Sequence, residues 1–589
     1  MKYPKLRGLK SSRQMVDTFK GYNHNLRIGD GEFFDMKNMT SDHYPVLSPR
    51  GKRGVYTSPA SPTGLITKDS LCYVDGSTFY INEYPVDMGL NDEPKQLISM
   101  GAYVIIMPDK KYINTKDLTD FGNIEAEVQT HANVSFTLCK LDGTDYSDGI
   151  PTEEPDEPSN MDMWIDVSTE PHSLKQWSDS SEMWVTIGTT YVKIASAGIG
   201  VPFEKYDGIT ISGLSGALTD SVTNKTIEDT SDLAALEGAA VVWDKGDDYI
   251  VVVGILDAVK TITNKITISR KMPNMDYIVE SENRLWGCRY GEAINGEIVN
   301  EIYASKLGDF KNWSCYMGLS TDSYTASVGS DGQFTGAITH LGYPLFFKEN
   351  CVHKVYGNYP ANFQIQTTAC NGVQKGCDKS LAIVNATLFY KARNAVCAYD
   401  GSLPTEVSYA LGNEAYSDAV GGSHGNKYYI SMKDVSGFYH LFVYDVSKGM
   451  WHKEDDLQAD CFCSCRGEMY AISNGDVITM LGSGTPDTDP VEWMVQTGEI
   501  GITSPDMKYI SRLTVRMSLD IDSEVRFYAQ YDFSEEWEYL FSMQGTSLRS
   551  FSIPIRPKRC DTMKLRIEGV GGAKVYSLTK TIEQGSELS

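Results

Sequence analysis

Residues Leu388–Gly401, with the sequence LFYKARNAVCAYDG, contain the pattern that decides the fold. The apolar triplet Leu388-Phe389-Tyr390 is followed by a polar turn and by a second apolar run, Val396-Cys397-Ala398-Tyr399, which ends in Asp400-Gly401. Short runs of aromatic and apolar residues separated by turn residues predict paired antiparallel strands. Helical periodicity is almost absent elsewhere, with residues 229–237 as the one exception. The sequence therefore predicts an all-β protein.

The same strand–turn–strand unit recurs along the chain. The first runs of these units are Leu71–Val74, Tyr103–Ile106, Leu285–Cys288, Pro344–Phe347, Leu388–Tyr390, Tyr428–Ile430 and Met469–Ile472. Measured on Phe346, Phe389, Tyr429 and Tyr470, the last four units lie 40–43 residues apart, and a four-stranded propeller blade takes roughly 40–50 residues. Because each unit exposes two faces until neighbours cover them, similar units close into a ring. We predict a β-propeller of about six to eight blades, with unrelated hairpins in β-sandwiches as the alternative.

The repeat also divides the chain into regions. It is interrupted once, and the interruption contains the acidic, proline-rich stretch Pro151–Pro158 and strand-like runs of its own. We therefore predict an inserted β-rich domain over residues 124–270, with the propeller at residues 55–123 and 271–494. Residues 1–54 are rich in turn residues and predict an extended N-terminal arm. From residue 495 to 589, alternating apolar and polar residues predict a C-terminal β-sandwich.

Composition limits the classes of function. The 589 residues contain 53 Lys and Arg against 78 Asp and Glu, a net charge of −25. Phosphate binding needs an excess of basic residues, so a general nucleic-acid-binding surface is not expected. The longest apolar run, Ile250–Leu256, is far shorter than the ~18 residues of a membrane span, and the first residues lack a secretory apolar core. We expect a soluble protein made in a cytoplasm.

The motifs of common enzymes are weak or absent. Gly421-Gly422-Ser423-His424-Gly425 matches the nucleophile elbow G-x-S-x-G, but a strand follows it at once where the elbow needs a helix. Cys461, Cys463 and Cys465 share one face of a predicted strand, a pattern more typical of packing than of a zinc site. Cys72, Cys288 and Cys397 lie in apolar runs, as free buried thiols do. We predict no catalytic residue, cofactor or metal, and no enzymatic activity.

Four tryptophans are the candidate contact residues. Trp164, Trp177, Trp184 and Trp243 all lie in the predicted insert, outside the repeated units. Indole rings on loops can stack on a sugar or on a partner surface, and burial in the core of the insert is the alternative for each of them.

Several stretches resemble propeller-containing structural proteins of bacteriophages, of the podovirus tail-nozzle or packaged-DNA-stabilisation type. In the N-terminal arm they are Phe19–Asn23, Asp35–Met39 and Tyr44–Arg50; in the repeated units they are Asn283–Trp286, Ile302–Ser305, Gly308–Trp313, Leu345–Asn350, Val355–Gly357, Leu388–Tyr390 and Tyr399–Gly401. The resemblance covers the arm and the propeller, and does not extend to the insert or to the C-terminal region.

The resemblance implies a structural subunit of a virion tail or neck, made in the bacterial cytoplasm. Several copies, such as a hexamer, would form a ring that extends the DNA channel or carries fibres, next to portal and tail proteins. An acidic channel wall would repel the DNA phosphates during ejection, so DNA would pass without specific binding. Two alternatives remain: a tail-tip or fibre-base protein whose insert binds a host glycan, and a propeller glycosidase or lyase.

Overall fold

Strands account for most of the ordered secondary structure. The computed structural model describes residues 11–146, 149–293, 296–502, 507–532 and 534–584. Within these ranges there is one α-helix, α1 (Ser231–Ala235), and three 3₁₀ turns at Pro360–Asn362, Asp378–Ser380 and Tyr409–Leu411. The predicted all-β class is confirmed. In the same ranges, no helix has the length and apolar character needed to cross a membrane.

The N-terminal segment, residues 11–57, contributes six short strands to several sheets. These strands are β1 (Ser11–Val16), β2 (Gly21–Tyr22), β3 (Glu32–Lys37), β4 (Met39–Thr40), β5 (Ser48–Pro49) and β6 (Gly54–Thr57). Only β4 and β5 form a sheet by themselves. The others pair with strands from the second half of the chain, so the predicted arm is held along most of its described length.

Two four-stranded antiparallel sheets follow. Their strands are β7 (Pro62–Thr67), β8 (Leu71–Asp75), β9 (Thr78–Ile81), β10 (Tyr84–Asp87), β11 (Gln96–Met100), β12 (Tyr103–Met107), β13 (Lys111–Asn114) and β14 (Asp117–Asn123). Strands pair in chain order within each sheet. The second strands, β8 and β12, are buried on both faces, whereas the fourth strands, β10 and β14, are largely exposed. Burial on both faces explains the uninterrupted apolar runs in the sequence.

The inserted region, residues 124–272, has its own core. Its strands are β15 (Ala126–Gln129), β16 (Val134–Cys139), β17 (Met163–Asp166), β18 (Ser173–Ser178), β19 (Met183–Thr186), β20 (Tyr191–Ala195), β21 (Gly208–Ser212), β22 (Gly238–Val241), β23 (Asp244–Gly246), β24 (Tyr249–Val253), β25 (Lys260–Ile262) and β26 (Thr267–Arg270). A four-stranded and a five-stranded sheet share one apolar cluster that includes Phe136, Ile211 and Ile250. Strands β17–β19 form a separate three-stranded sheet.

After the insert, the four-stranded pattern resumes. The strands are β27 (Tyr277–Ser281), β28 (Arg284–Glu292), β29 (Ile298–Ala304), β30 (Tyr324–Ser327), β31 (Gly336–His340), β32 (Tyr343–Lys348), β33 (Cys351–Tyr356), β34 (Gln364–Ala369), β35 (Ala382–Val384), β36 (Thr387–Lys391), β37 (Val396–Tyr399), β38 (Thr405–Glu406), β39 (Tyr416–His424), β40 (Lys427–Asp434), β41 (Tyr439–Asp445), β42 (Met450–Lys453), β43 (Cys461–Cys465), β44 (Glu468–Ser473) and β45 (Asp476–Thr479). The last three strands take β6 of the N-terminal segment as their fourth partner.

The first strands of successive sheets lie side by side. β7 contacts β11, β11 contacts β27, and β27 contacts β31; the 3₁₀ turn at Asp378–Ser380 bridges β31 to the next sheet. Contacts continue from β35 to β39 and from β39 to β43, and β43 returns to β7. The sheets thus follow one another in a circular, propeller-like order.

The C-terminal region, residues 492–584, is built on one long strand. After β46 (Thr485–Pro486), its strands are β47 (Glu492–Thr497), β48 (Lys508–Tyr531), β49 (Glu538–Ile553), β50 (Arg559–Cys560), β51 (Met563–Val570) and β52 (Ala573–Gln584). β48 pairs with β49 along one edge, and with β52 and then β51 along the other. Alternate side chains of β48, such as Val515 and Phe527, are buried.

The N-terminal segment joins this region to the repeated sheets. β3 pairs with β47, β2 lies parallel to β3, and Tyr22 of β2 pairs with Trp451 of β42. The result is a 13-stranded sheet that runs from β39 through the N-terminal strands to β52 and β1. Residues separated by more than 400 positions therefore belong to one hydrogen-bonded sheet.

A buried ion pair anchors the inserted region. The Arg270 guanidinium pairs with the Asp207 carboxylate, and its Nη2 donates to the carbonyl oxygen of Ile124 at 3.2 Å. The Asn312 side chain, which follows β29, donates to Asp207 Oδ1 at 2.8 Å and accepts from the backbone N–H of Gly208 at 2.8 Å. Both charged groups are almost fully buried. Because an unpaired buried charge is costly, this network fixes the start and end of the insert to the neighbouring sheet.

The completion of the last sheet by β6 gives a stability prediction. We expect Val55→Pro to destabilise the protein by about 3 kcal/mol more than Val55→Ala does, because proline removes a backbone donor from a strand that is paired on both edges. Equilibrium unfolding in urea would measure the difference. Equal stability of the two variants would show that the pairing of β6 contributes little.

Candidate functional site

A cavity of about 640 Å³ lies where the first strands of the sheets converge. Residues from all seven sheets of the circular order line it: Leu65 of β7, Gln96 of β11, Tyr277 of β27, Ala337 of β31, Leu381 beside β35, Gly421 of β39 and Phe462 of β43. We call it the axial cavity. Its volume falls within the 300–1,000 Å³ typical of small-molecule sites.

Three aspartates face the axial cavity. Asp276 directly precedes β27, Asp460 directly precedes β43, and Asp378 begins the 3₁₀ turn before β35. The Lys379 ammonium donates to the backbone carbonyl oxygen of Asp460 at 3.0 Å. Lys95 also belongs to the wall, but its buried ammonium is ion-paired with Asp109 at 2.5 Å. The site therefore carries more negative than positive charge.

Two of these carboxyl groups are desolvated. Burial raises the pKa of Asp378 above its usual value, and the nearby Lys379 offsets this only in part. Asp276 is open to the solvent of the cavity, yet the surrounding walls desolvate it enough to raise its pKa. The backbone N–H of Tyr290 donates to Asp276 at 2.8 Å and opposes that rise. Carboxyl groups that hold a proton to higher pH are suited to general acid chemistry.

The sequence analysis did not find these aspartates. They lie between 82 and 184 positions apart in the chain, and none belongs to a recognised motif. The sequence signal that could have found them is their position within the repeat, since each aspartate lies just before the first strand of a sheet. Because first strands line the axis, the residues before them converge at one end of the cavity.

The structure brings together three of the four predicted tryptophans. Trp164, Trp177 and Trp184 lie on the three-stranded sheet β17–β19, with ring centroids 6.1 Å apart for Trp164 and Trp184 and 5.4 Å apart for Trp177 and Trp184. All three are partly exposed. Trp243 lies elsewhere, between β22 and β23, and packs edge-on against Tyr191 and Tyr206 at 5.8 and 6.1 Å.

Two other sequence features have structural positions. Gly421–Gly425 forms the end of β39 and the turn into β40, so a strand follows the motif, as predicted. Cys461, Cys463 and Cys465 lie on β43 and pack against β7 and its neighbours. Burial raises the pKa of Cys461 to about 12 and that of Cys463 to about 11. The thiols of Cys461 and Cys463 are therefore protonated at neutral pH.

Comparisons with known proteins give only remote likenesses. No family model matches the chain, and no curated protein matches it. Among solved structures, an exo-β-1,3-galactanase from Phanerochaete chrysosporium is 9% identical, with a TM-score of 0.23, over 52% of this chain and 95% of its own. A family 43 arabinoxylan arabinofuranohydrolase from Bacillus subtilis gives 8% and 0.18, over 51% of this chain and 94% of its own. The sialidase of Trypanosoma rangeli gives 9% and 0.21, over 89% and 95%.

These neighbours correct one prediction. They are glycoside hydrolases and a sialidase, which contradicts the expectation that the chain is not an enzyme, and we withdraw that expectation. The physical reason for the error is that a pair of catalytic carboxyl groups has to flank a bond in space, which requires no local sequence motif. At these TM-scores, the likeness transfers no substrate and no catalytic residue to this chain.

The raised pKa of Asp378 gives a pH-dependent prediction. A carboxyl group with a raised pKa in the folded state stabilises the fold only at low pH, and this stability is lost as the pH rises through the folded-state pKa. We expect Asp378→Asn to raise the melting temperature by about 1–3 °C at pH 7 and to leave it unchanged at pH 3. Differential scanning calorimetry at both pH values measures this.

Asp400→Asn is the matched control. Hydrogen bonds from Ser402 lower the pKa of the exposed Asp400, so removing its charge should not raise the melting temperature at pH 7. A gain for Asp378→Asn that persists at pH 3, or a loss at pH 7, would contradict the desolvation of Asp378.

Proposed function

We propose that the chain is a structural subunit of a bacteriophage tail or neck, and that several copies assemble into a ring. In this proposal the seven successive sheets form a seven-bladed propeller with an inserted β-sandwich and a C-terminal β-sandwich. The observation that carries the proposal is the joint made by the N-terminal segment. The stretches of the N-terminal arm that resemble phage proteins, Phe19–Asn23, Asp35–Met39 and Tyr44–Arg50, supply residues that connect the repeated sheets to the C-terminal region.

The first part of this joint depends on Gly21 and Tyr22. Gly21 has a φ of +83°, and a Cβ atom there would lie 2.3 Å from the carbonyl oxygen of Trp451. Only glycine allows β2 to lie this close to β42. The Tyr22 ring is buried and packs 5.6 Å from the ring of Phe442.

The second part depends on Asn38 and Arg50. Asn38 donates through Nδ2 to the carbonyl oxygen of Glu492 in the C-terminal region at 2.8 Å, and accepts from Arg50 Nε at 2.8 Å. Arg50 also donates to Asp455, just after β42, at 3.1 Å. Asn38 and Arg50 thus link the N-terminal segment to the C-terminal region and to the residues after β42. These hydrogen bonds are at least partly buried. The two that Arg50 donates involve its charged guanidinium, and such bonds are stronger than neutral ones.

A subunit joined in this way suits a mechanical role. The propeller and the C-terminal region share one sheet, so a load applied to one is passed to the other through backbone hydrogen bonds. The axial cavity of about 640 Å³ has the size of a small-molecule site. A duplex, whose major groove alone is about 12 Å wide, therefore needs a channel between copies. A net charge of −25 would keep such a channel from binding DNA.

The edge strand β49 is our candidate contact between copies. Within the part of the chain that the structure describes, β49 pairs only with β48, so its outer edge is open to another strand. Its sixteen residues contain one acidic and one basic residue, Glu538 and Arg549. Tyr539 is 55% exposed and Leu548 is 43% exposed. Two copies of a strongly acidic protein could approach here with little repulsion.

This contact predicts the behaviour of a variant. We expect the purified protein to form closed rings as its concentration is raised, and Leu548→Asp to need about tenfold more protein for the same ring fraction. Phe438→Asp is the control, because Phe438 is also an exposed apolar residue, at 68%, but lies in the turn between β40 and β41. Mass photometry, followed by negative-stain class averages, measures the rings.

Particles provide the second test. Phage particles isolated from a lysate of a strain that carries this gene should contain the chain, and antibodies against it should label the tail or neck. Particles without the chain, together with a monomer at every concentration, would contradict the proposal.

A second candidate function is hydrolysis of a glycosidic bond in the axial cavity. The observation that favours it is the presence of Asp276 and Asp378, both with a raised pKa, in one cavity with Asp460. Glycoside hydrolysis needs one protonated and one ionised carboxyl group on either side of the bond. Asp460, whose backbone carbonyl oxygen accepts a hydrogen bond from Lys379 Nζ, provides a third carboxyl group.

The hydrolytic candidate predicts release of reducing sugars. We expect the wild-type protein to release reducing ends from at least one member of a bacterial polysaccharide panel, and Asp378→Asn to lower that rate about 100-fold or more. Asp400→Asn should keep the full rate, because Asp400 lies on an exposed turn. No release by the wild-type protein between pH 4 and 7 would remove this candidate.

A further inference from the structure

We propose that one face of the three-stranded sheet β17–β19 binds a polysaccharide made of uncharged sugars. This sheet lies outside the two sheets that enclose the core of the inserted region. The inference is independent of the ring and of the axial cavity. It requires only that this face be accessible on a folded protein.

Strand register places the three tryptophans on one face. Trp177 lies directly opposite Trp184, and Trp164 lies directly opposite Lys175, two positions from Trp177. Opposite residues share a face, as do residues two apart on one strand. We call this the tryptophan face.

The other face supplies the packing. This face is buried at the end of the sheet next to α1, where Ile165 is 2% and Leu174 1% exposed, whereas Met183 and Val185 at its other end are exposed. A contact between His172 Nε2 and Asp232 Oδ1, at 3.6 Å, holds the sheet near α1. Packing at the end with Ile165 and Leu174 therefore anchors the sheet, and the tryptophan face is left partly open.

The tryptophans do not belong to the apolar clusters of the described residues. Their rings pack edge to face, at 70° and 69°, an arrangement in which faces and edges of indole are both presented. The buried indole N–H of Trp164 has no hydrogen-bond partner in the part of the chain that the structure describes. Packing between rings, and not polar bonding, thus holds Trp164 in place.

Polar groups lie between the rings. Lys175 donates to Thr186 Oγ1 at 2.8 Å and lies 3.9 Å from Asp166 Oδ2, while Trp177 Nε1 donates to Asp179 Oδ1 at 2.9 Å. A sugar ring has apolar C–H faces and a polar rim of hydroxyl groups. Aromatic faces next to fixed donors and acceptors match both parts of such a ligand.

Charge at the border selects the class of sugar. The backbone N–H of Ile165 donates to the carbonyl oxygen of Pro151 at 2.9 Å, so the acidic stretch Pro151–Pro158 begins along the edge of β17. Its carboxylates Glu153, Glu154, Asp156 and Glu157 are all exposed, as are Asp162, Asp179 and Glu182 nearby. These charges would repel phosphate, sulfate or uronate groups. Uncharged sugars are left as the ligand class that suits the tryptophan face.

The test is a glycan array that contains neutral and acidic oligosaccharides, followed by fluorescence titration of the best neutral probe. N-acetylchitotetraose and laminarin serve as neutral probes, and polygalacturonate as the acidic one. We expect Trp177→Ala and Trp184→Ala each to weaken neutral binding about tenfold. Trp243→Phe is the control, because Trp243 is a partly exposed tryptophan of the same region that lies off this face.

The conservative variant Trp184→Phe distinguishes loss of binding from misfolding. It keeps an aromatic ring, so it should bind more tightly than Trp184→Ala, and all variants should melt at the temperature of the wild type. Binding that is stronger for polygalacturonate, equal losses in the Trp243→Phe variant, or no binding to any neutral glycan would each overturn the proposal. Capture of a protein instead of a glycan through Trp177 and Trp184 would also overturn it.

Discussion

The structure depends on the closure of its circular order of sheets. The last sheet takes three strands, β43–β45, from the end of the repeat and its fourth strand, β6, from the N-terminal segment. β6 pairs with β45, so residues near 55 complete a sheet begun near 461. Just before β6, the buried Arg53 donates to both oxygens of Asp455, at 2.6 and 3.0 Å, and to Glu454 at 2.8 Å. Burial of this cluster raises the pKa of Glu454, whereas the two arginines hold that of Asp455 below its usual value. An ion pair so enclosed is costly to break from either side.

Other features follow from this closure. Once the sheets follow one another around an axis, the residues before each first strand must face that axis, which places Asp276, Asp378 and Asp460 in one cavity. The inserted region begins at Ile124, and its last strand ends at Arg270. It lies in the chain between the sheet β11–β14 and the sheet β27–β30, and so does not interrupt the circular order. Before it reaches β6, the N-terminal segment pairs with β42 through β2. Its next strand, β3, pairs with β47, so the C-terminal region extends the same sheet.

Much of this architecture could be predicted from the sequence because it rests on local patterns. The second strand of each unit contains an uninterrupted apolar run of at least three residues, since both faces are covered, and such runs are visible without a structure. The pairing of β6 could not be predicted, because four residues, Gly54–Thr57, carry no sign of a partner more than 400 positions away. The convergence of the three axial aspartates could not be predicted either, because they lie far apart in the chain. For the tryptophans, the sequence left both exposure and burial open, and only the register of β18 and β19 brings Trp177 and Trp184 together. The expectation that the chain lacks activity rested on missing motifs, which distant carboxylates do not need.

The most direct measurement of the closure is hydrogen exchange of the backbone amides in β6, followed by mass spectrometry of the native protein. Because β6 lies between β45 and β46, its amides should exchange as slowly as those of β44 and β45, through the same opening of the sheet. Exchange of residues 54–57 that is as fast as that of an exposed turn, while residues 468–479 stay protected, would contradict the account. The last sheet would then be stable without the N-terminal segment, and the joint between the two halves of the molecule would not depend on it.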